Sequence, residues 1–341
     1  MKKFLAVALV SLVGITGVGC SSDNTSSTSD TKIALVTDTL GSEEFLLQAY
    51  DEFMELSDDG NAYLATSVEC ADDSAWAEKS RSAAVQGYDL IVGIGWKAAG
   101  VFEELVSEFP NTKFAVIDTV SSNEEIKSIA YNTSDGAYVM GALIGNAFPD
   151  QKTFGYIGNF QNQANFEYRY GFIEGLKSVT PDAEVIVNFA DTFSDTSAVY
   201  SLAKQQQAAG AKFIMGSVSS SANEGLYQAA LDLADEGKEI YTSGLSVDQT
   251  REENPYIIGG LTKDTGAATN EIITEFLSGE LEGGTEVIGF KEDAFGVVHV
   301  NTGDVNFVNE EIITEEVLEK VNIIVEDIKN GNIVIDVPIE N

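Results

Sequence analysis

KIALVTDTLGSEEFLLQAYDEF, residues 32–53, decides the fold. Ile33, Ala34, Leu35 and Val36 form a short apolar run with the length and composition of a strand buried on both faces of a parallel sheet. The run stops at Thr37-Asp38-Thr39-Leu40-Gly41, a polar turn. A helix pattern follows, with Ser42 as N-cap, Glu43 and Glu44 in the first turn, and Phe45, Gln48, Ala49 and Phe53 at helical spacing. In an open α/β sheet, the loop at the carboxyl end of the first strand is where ligands are met. Asp38 and Phe45 are therefore expected to face a cleft, one as a hydrogen-bond acceptor and the other as a flat apolar surface.

The same unit recurs along the chain. Strand patterns at residues 61–70, 88–94 and 113–118 alternate with helices at 75–86 and 98–109, the spacing of a doubly wound parallel sheet. SIAYN, residues 128–132, crosses into a second lobe that repeats the scheme. Its strands fall at 154–159, 184–190, 212–218, 239–245 and 256–263, and its helices at 137–148, 166–179, 196–209 and 223–235. A helix at 266–277 returns to the first lobe. Strands around 287–290 and 296–301, a helix at 315–330 and a final IVIDVPI close the chain. The expected domains are lobe 1, residues 32–131 with about 264–290, and lobe 2, residues 132–263 with about 291–341. Two similar lobes joined by several crossings describe a hinged ligand trap.

The first nineteen residues belong to neither lobe. Lys2 and Lys3 precede an apolar run to Val18 and small residues before Cys20, a secretory leader too short to span a membrane comfortably. Lipid on Cys20 and a polar tether over residues 20–31 would anchor the protein to the outer face of the cell membrane. Cys70 is then the remaining cysteine; it has no disulfide partner and is expected to be buried. The net charge of −36 becomes −38 once Lys2 and Lys3 leave (17 basic against 55 acidic residues), which argues against nucleic acid and phosphate-rich ligands. Catalysis has little support: His299 is the sole histidine, placed in an apolar strand (GVVHV), and no nucleophile elbow, P-loop or dinucleotide motif is present. Neither a cofactor nor a metal is expected.

Residues 88–118 (YDLIVGIGWKAAGVFEELVSEFPNTKFAVID) resemble the central block of the basic membrane protein family, the nucleoside-binding lipoproteins of ABC transporters. SDGAYVMGALIG (134–145), FGYIGN (154–159) with YGFIEGLK (170–177), SVDQ (246–249) and GLTKD (260–264) resemble further blocks of that family, in the same order. The resemblance implies an α/β, two-lobed periplasmic-binding-protein fold of type I, each lobe a doubly wound parallel sheet. It also implies a passive, monomeric receptor that hands a nucleoside, purine by preference, to a membrane permease. Family members sandwich the base between two phenylalanines and hold the ribose with aspartates and a lysine. By position, Phe45 matches the first aromatic, Phe193 in DTFSD the second, Asp38 and Asp118 the first-lobe carboxylates, Lys263 the lysine and Gly216 the glycine after FIMG. Two departures are visible: Leu46 stands where the family has asparagine, and Ser246 where it has the first aspartate of a turn that keeps Asp248.

Each residue also has a plainer reading. Phe45 could pack in the core, Asp38 could close an Asx-type turn and Lys263 could make a simple salt bridge. Asp118 ends an apolar strand, where an unpaired carboxylate is costly. Trp96, after a strand-ending glycine, could extend a stacking surface or pack at the hinge. Phe189 competes with Phe193, and Asn159, Gln161 and Asn162 could meet a base edge or only solvent. A neutral ligand with hydroxyls suits this set, which leaves a sugar receptor or sensor as the alternative and a nucleoside-processing enzyme as the remoter one.

Overall fold

The structure, a computed structural model, describes residues 31–41, 43–58 and 62–339; the leader, Cys20 with nearly all of the tether, and the Ser42 cap lie outside the described residues. β1 (Lys32–Asp38) and α1 (Glu44–Asp58) realise the opening strand and helix. Period-two alternation sends Ile33 and Leu35 into one hydrophobic cluster and Ala34 and Val36 into another, as a strand covered on both faces requires. The chain continues through β2 (Leu64–Cys70), α2 (Asp73–Val85), β3 (Leu90–Ile94), α3 (Trp96–Leu105), β4 (Lys113–Ile117) and β5 (Lys127–Tyr131). After α4 (Thr133–Ala147) come β6 (Thr153–Gly158), α5 (Gln163–Val179), β7 (Glu184–Phe189), α6 (Thr196–Ala208), β8 (Phe213–Ser217), α7 (Glu224–Asp235), β9 (Tyr241–Ser246) and β10 (Ile257–Lys263). The last elements are α8 (Thr265–Ser278), β11 (Gly284–Ile288), β12 (Phe295–Val297) and α9 (Glu315–Lys329).

Two six-stranded sheets result, ordered β11-β5-β4-β3-β1-β2 and β12-β10-β9-β8-β6-β7. The first is wholly parallel; in the second, only β12 runs antiparallel, against β10. Strand order reverses between β1 and β3 in one sheet and between β6 and β8 in the other, the point where doubly wound folds open a crevice at their carboxyl strand ends. Both faces of each sheet are covered. One shared cluster, running from Ile33 to Ile328, fills the inner faces, while Trp76 and Phe102 anchor the outer face of the first sheet and Val199 and Leu226 that of the second. The chain passes between the sheets after β5, after β10 and after β11, with α8 returning to pack on α1.

Three local expectations change. α5 starts at Gln163, ahead of residue 166, because the Asn162 side chain accepts from Asn165 N at 2.9 Å and caps it. His299 lies in the turn after β12 with φ 76°, not in a strand. The final IVIDVPI carries no strand.

α4 is apolar almost all round because it is enclosed by α5, α9 and the second sheet. It approaches α5 so closely that a Cβ on Gly141 would stand 2.1 Å from Phe172 O, and one on Gly175 1.9 Å from Tyr138 O. Backbone cannot retreat from such contacts without parting the helices. Gly175→Ala is therefore expected to lower stability by about 1–3 kcal/mol or more in a denaturant melt, whereas Gly100→Ala, with open space around it, should stay near neutral or gain slightly.

Candidate functional site

The loops at the carboxyl ends of β1, β3 and β4 and those after β7, β8 and β10 supply the charged and aromatic side chains of the site. At its floor, Lys263 ends β10 and Asp118 follows β4, and the Lys263 Nζ–Asp118 Oδ2 distance is 2.6 Å. These side chains are only 11% and 19% exposed. Burial alone would pull the Lys263 ammonium down. The Asp118 carboxylate, with smaller contributions from Tyr168 and Glu43, outweighs it and raises the pKa above the ordinary lysine range. Asp118 holds φ 63°, a left-handed conformation that aspartate tolerates better than branched residues do. Tyr168 of α5 shares this environment. Burial lifts its phenol, Lys263 opposes the rise and Asp118 adds to it.

Phe45, half-buried at the start of α1, lies with its ring centroid 5.1 Å from Lys263 Nζ, a cation–π contact. Its carbonyl accepts from Thr265 Oγ1 at 2.6 Å, which ties this turn to α8. In the second lobe the loop after β7 carries Phe193, 48% exposed and braced by the edge of Phe160 at 5.0 Å between centroids. Ser219 Oγ donates to Phe193 O at 2.7 Å. Phe189, its competitor, is half-buried and packs on the core beside Arg169. A direct contact joins the turn ahead of Phe45 to the turn that holds the Phe193 carbonyl: Glu43 Oε2 accepts from Ser220 N at 3.0 Å and from the Ser220 hydroxyl.

Asp38 is held within the first lobe. Its Oδ1 accepts from Trp76 Nε1 at 2.8 Å and from Lys97 Nζ at 3.0 Å, while 42% of its side chain stays exposed. Trp96, just after Gly95 (φ 92°), is 64% exposed, with Lys97 Nζ 5.8 Å from its ring. Neither hinge nor core covers that ring.

Other expected residues turn out to be occupied with structure. Both Asp248 oxygens are engaged: Oδ1 by Thr250 N and Oγ1, Oδ2 by Asn306 N at 2.7 Å. The carboxylate that the sequence offers to a ligand thus fixes the loop at 301–309. Gly216 is buried, and a Cβ there would stand 2.9 Å from the Asn223 amide, so packing accounts for its smallness. Ser246 is buried at φ 72°, at the place in the second sheet that the left-handed Asp118 occupies in the first. Asn159 accepts from Phe160 N at 2.6 Å and donates to Val218 O at 3.0 Å, and Asn162 caps α5; Gln161 and Asn162 are both exposed. Cys70 is a free, buried thiol that burial pushes up to about 11. His299 lies in the turn after β12. Burial lowers its pKa, and although the Ile258 backbone acts on the ring, neither ring nitrogen makes a well-formed hydrogen bond among the described residues.

A cavity of about 350 Å³ opens beside the floor pair, lined by Gln48, Asp248, Lys263, Asp264, Asn301 and Thr302. Of the residues expected to meet a ligand, Asp248 and Lys263 line it, whereas Phe45, Asp118 and Phe193 do not; its carboxylates, ammonium and amides are groups that can bond hydroxyls. Sequence reasoning missed Phe160, Lys97, Tyr168 and Ser220, and read Glu43 only as a first-turn acid. Lys97 alone left a usable signal, standing next to Trp96 in a chain with few cations.

Residues 33–337 match the family model for PnrA-like ABC transporter substrate-binding proteins. The chain is 26% identical to a CD4+ T-cell-stimulating antigen of Listeria innocua, over 98% of each chain. It is 24% identical to the ABC transporter nucleoside-binding protein BmpA of Lactococcus lactis, over 84% of this chain and 88% of that one. Among solved structures, an ABC transporter solute-binding protein of Aeropyrum pernix superposes with a TM-score of 0.76 at 16% identity, covering 91% of this chain and 94% of the other.

Removing one partner of the floor pair strands the other charge. Lys263→Met is expected to cost about 3–5 kcal/mol of stability, and adding Asp118→Asn, a residue that also accepts positive φ, should restore most of it. Because the folded pKa of Lys263 is raised, its contribution is complete below the unfolded value of about 10.4 and is lost only as pH climbs through the higher folded one. Urea melts of the two variants and wild type, repeated from neutral to strongly alkaline pH, check both points.

Proposed function

The chain belongs to the family of PnrA-like ABC transporter substrate-binding proteins, and from that premise we propose that it captures a nucleoside, purine by preference, between its two lobes and delivers it to a membrane permease. The family's role is substrate binding and not catalysis. In this reading the protein works outside the cytoplasm as a monomer, held at the membrane by lipid on Cys20; among the described residues, no helix is long and apolar enough to cross a membrane.

One observation carries the reading. Phe45, with the Lys263 ammonium over its ring and Asp118 paired to that ammonium, stands across the Glu43–Ser220 contact from the turn that holds Phe193. A base stacks between the two rings, and the ribose hydroxyls donate to Asp118 while Lys263 neutralises it. Trp96 adds a second exposed aromatic face at the first-lobe rim, with Asp38 and Lys97 beneath it. Arg81 and Arg251 are already forked onto the carboxylates of Glu108 and Glu224, which leaves neither fork open to a phosphate or carboxylate guest.

A neutral sugar is the second reading. Leu46 and Ser246 each remove a polar group that would read a base or ribose, and Asp248 is engaged within its own loop. Calorimetry against a panel of nucleosides and sugars separates the two. The expected result is a purine nucleoside bound at micromolar Kd or tighter, about −8 kcal/mol or stronger. Phe45→Ala should then cost about 1–3 kcal/mol of affinity, and Asp118→Ala about 2–3 kcal/mol. Heat from sugars alone would replace the nucleoside assignment with the second reading.

A further inference from the structure

Glu43 lies two residues before Phe45, and Ser220 follows directly on Ser219, which holds the Phe193 carbonyl. We propose that Glu43 is a positioning residue whose bond to Ser220 latches the two lobes together and sets the gap between their aromatic walls to the thickness of a flat ring. For the guest, this inference rests on the nucleoside reading above; for the latch, it rests on the protein's own atoms alone.

The chain of contacts is continuous. On the first-lobe side, the Glu43–Phe45 segment is held at its far end by Thr265 Oγ1 on the Phe45 carbonyl, which ties it to α8. On the second-lobe side, Ser219 Oγ donates to Phe193 O and accepts from Ala222 N at 2.8 Å, so the 219–222 turn and the Phe193 loop move as one. Phe160 then fixes the Phe193 ring from behind. A shift of Ser220 relative to Glu43 therefore carries Phe193 relative to Phe45.

The latch is also made of the stronger kind of hydrogen bond. A carboxylate accepts both a backbone N–H and a hydroxyl, and it does so just ahead of α7, whose N-terminus favours negative charge. Glu43 holds this position although Glu44 and Glu224 stand close by; burial, Glu224 and Glu43 together raise the pKa of Glu44, with Arg251 opposing. In so acidic a neighbourhood, a carboxylate without fixed donors would turn out to solvent.

Two measurements test the latch. In the ligand-free protein, one spin label on each lobe reports the interlobe distance. Glu43→Ala should lengthen and broaden its distribution. Glu43→Gln, whose amide oxygen still accepts from Ser220 N–H, should stay near wild type, and Ser220→Ala, which keeps only the N–H, should fall between. With a purine nucleoside, Glu43→Ala should raise koff about tenfold, because the bond that holds the lobes over the guest is gone. An interlobe distribution in Glu43→Ala identical to wild type overturns the inference, as does an unchanged koff. Failure of the wild type to bind any nucleoside overturns the ligand reading instead, and the ligand-free comparison then decides the latch on its own.

Discussion

The Lys263–Asp118 pair joins the two sheets at the one place where both need it. β10 ends in an ammonium and β4 ends one residue before a carboxylate, and the chain folds so that these ends meet at 2.6 Å with both side chains largely out of water. Desolvating both charges is expensive, and only the short distance and the matching sign offset that cost. The pair is therefore intolerant of one-sided change. Asp118 meets Lys263 from a left-handed backbone, and the buried Tyr168 feels both charges.

Around that fixed point the architecture permits motion. The chain crosses between sheets after β5, β10 and β11, and near these crossings Tyr131 donates to Asp264 O at 2.8 Å and Asn132 N to Ile288 O at 2.8 Å. Such short crossings between rigid sheets suit a hinge that opens and closes a cleft. The floor pair lies close to the crossings, whereas Glu43 and Ser220 join α1 to the turn ahead of α7. Contacts away from a hinge have the longer lever arm, so one hydrogen-bonded carboxylate at the lip can govern closure as strongly as a buried ion pair at the floor.

The site also shows how a family scaffold is edited. Where a carboxylate is absent at Ser246, the backbone keeps the left-handed turn; where Asp248 remains, it serves the 301–309 loop. Trp96 and Lys97 bring an exposed indole and an ammonium to the first-lobe rim, and Lys97 is neutralised by Asp38 and Asp73.

The fold class was legible in the sequence because its signals are local. The period-two and helical patterns in residues 32–53, repeated from lobe to lobe, need no partner to be read. Phe45, Asp118 and Lys263 stood out as candidates too, since a charge or ring at the end of an apolar strand or beside a turn is conspicuous in the chain itself; that the three meet is a result of the tertiary structure. Asp248 and Gly216 stood out for the same reason. Their residue types looked available, and only the partners that tertiary structure brings to them, Thr250 and Asn306 to one and Asn223 to the other, show them engaged. Glu43 is the reverse case. Nothing around it in sequence separates it from Glu44, and its distinction comes from Ser220, 177 residues away. Sequence alone determined which segments form strands and helices and which faces they bury; the tertiary structure decided which polar groups are already satisfied, because hydrogen bonds between distant segments leave no periodicity to read.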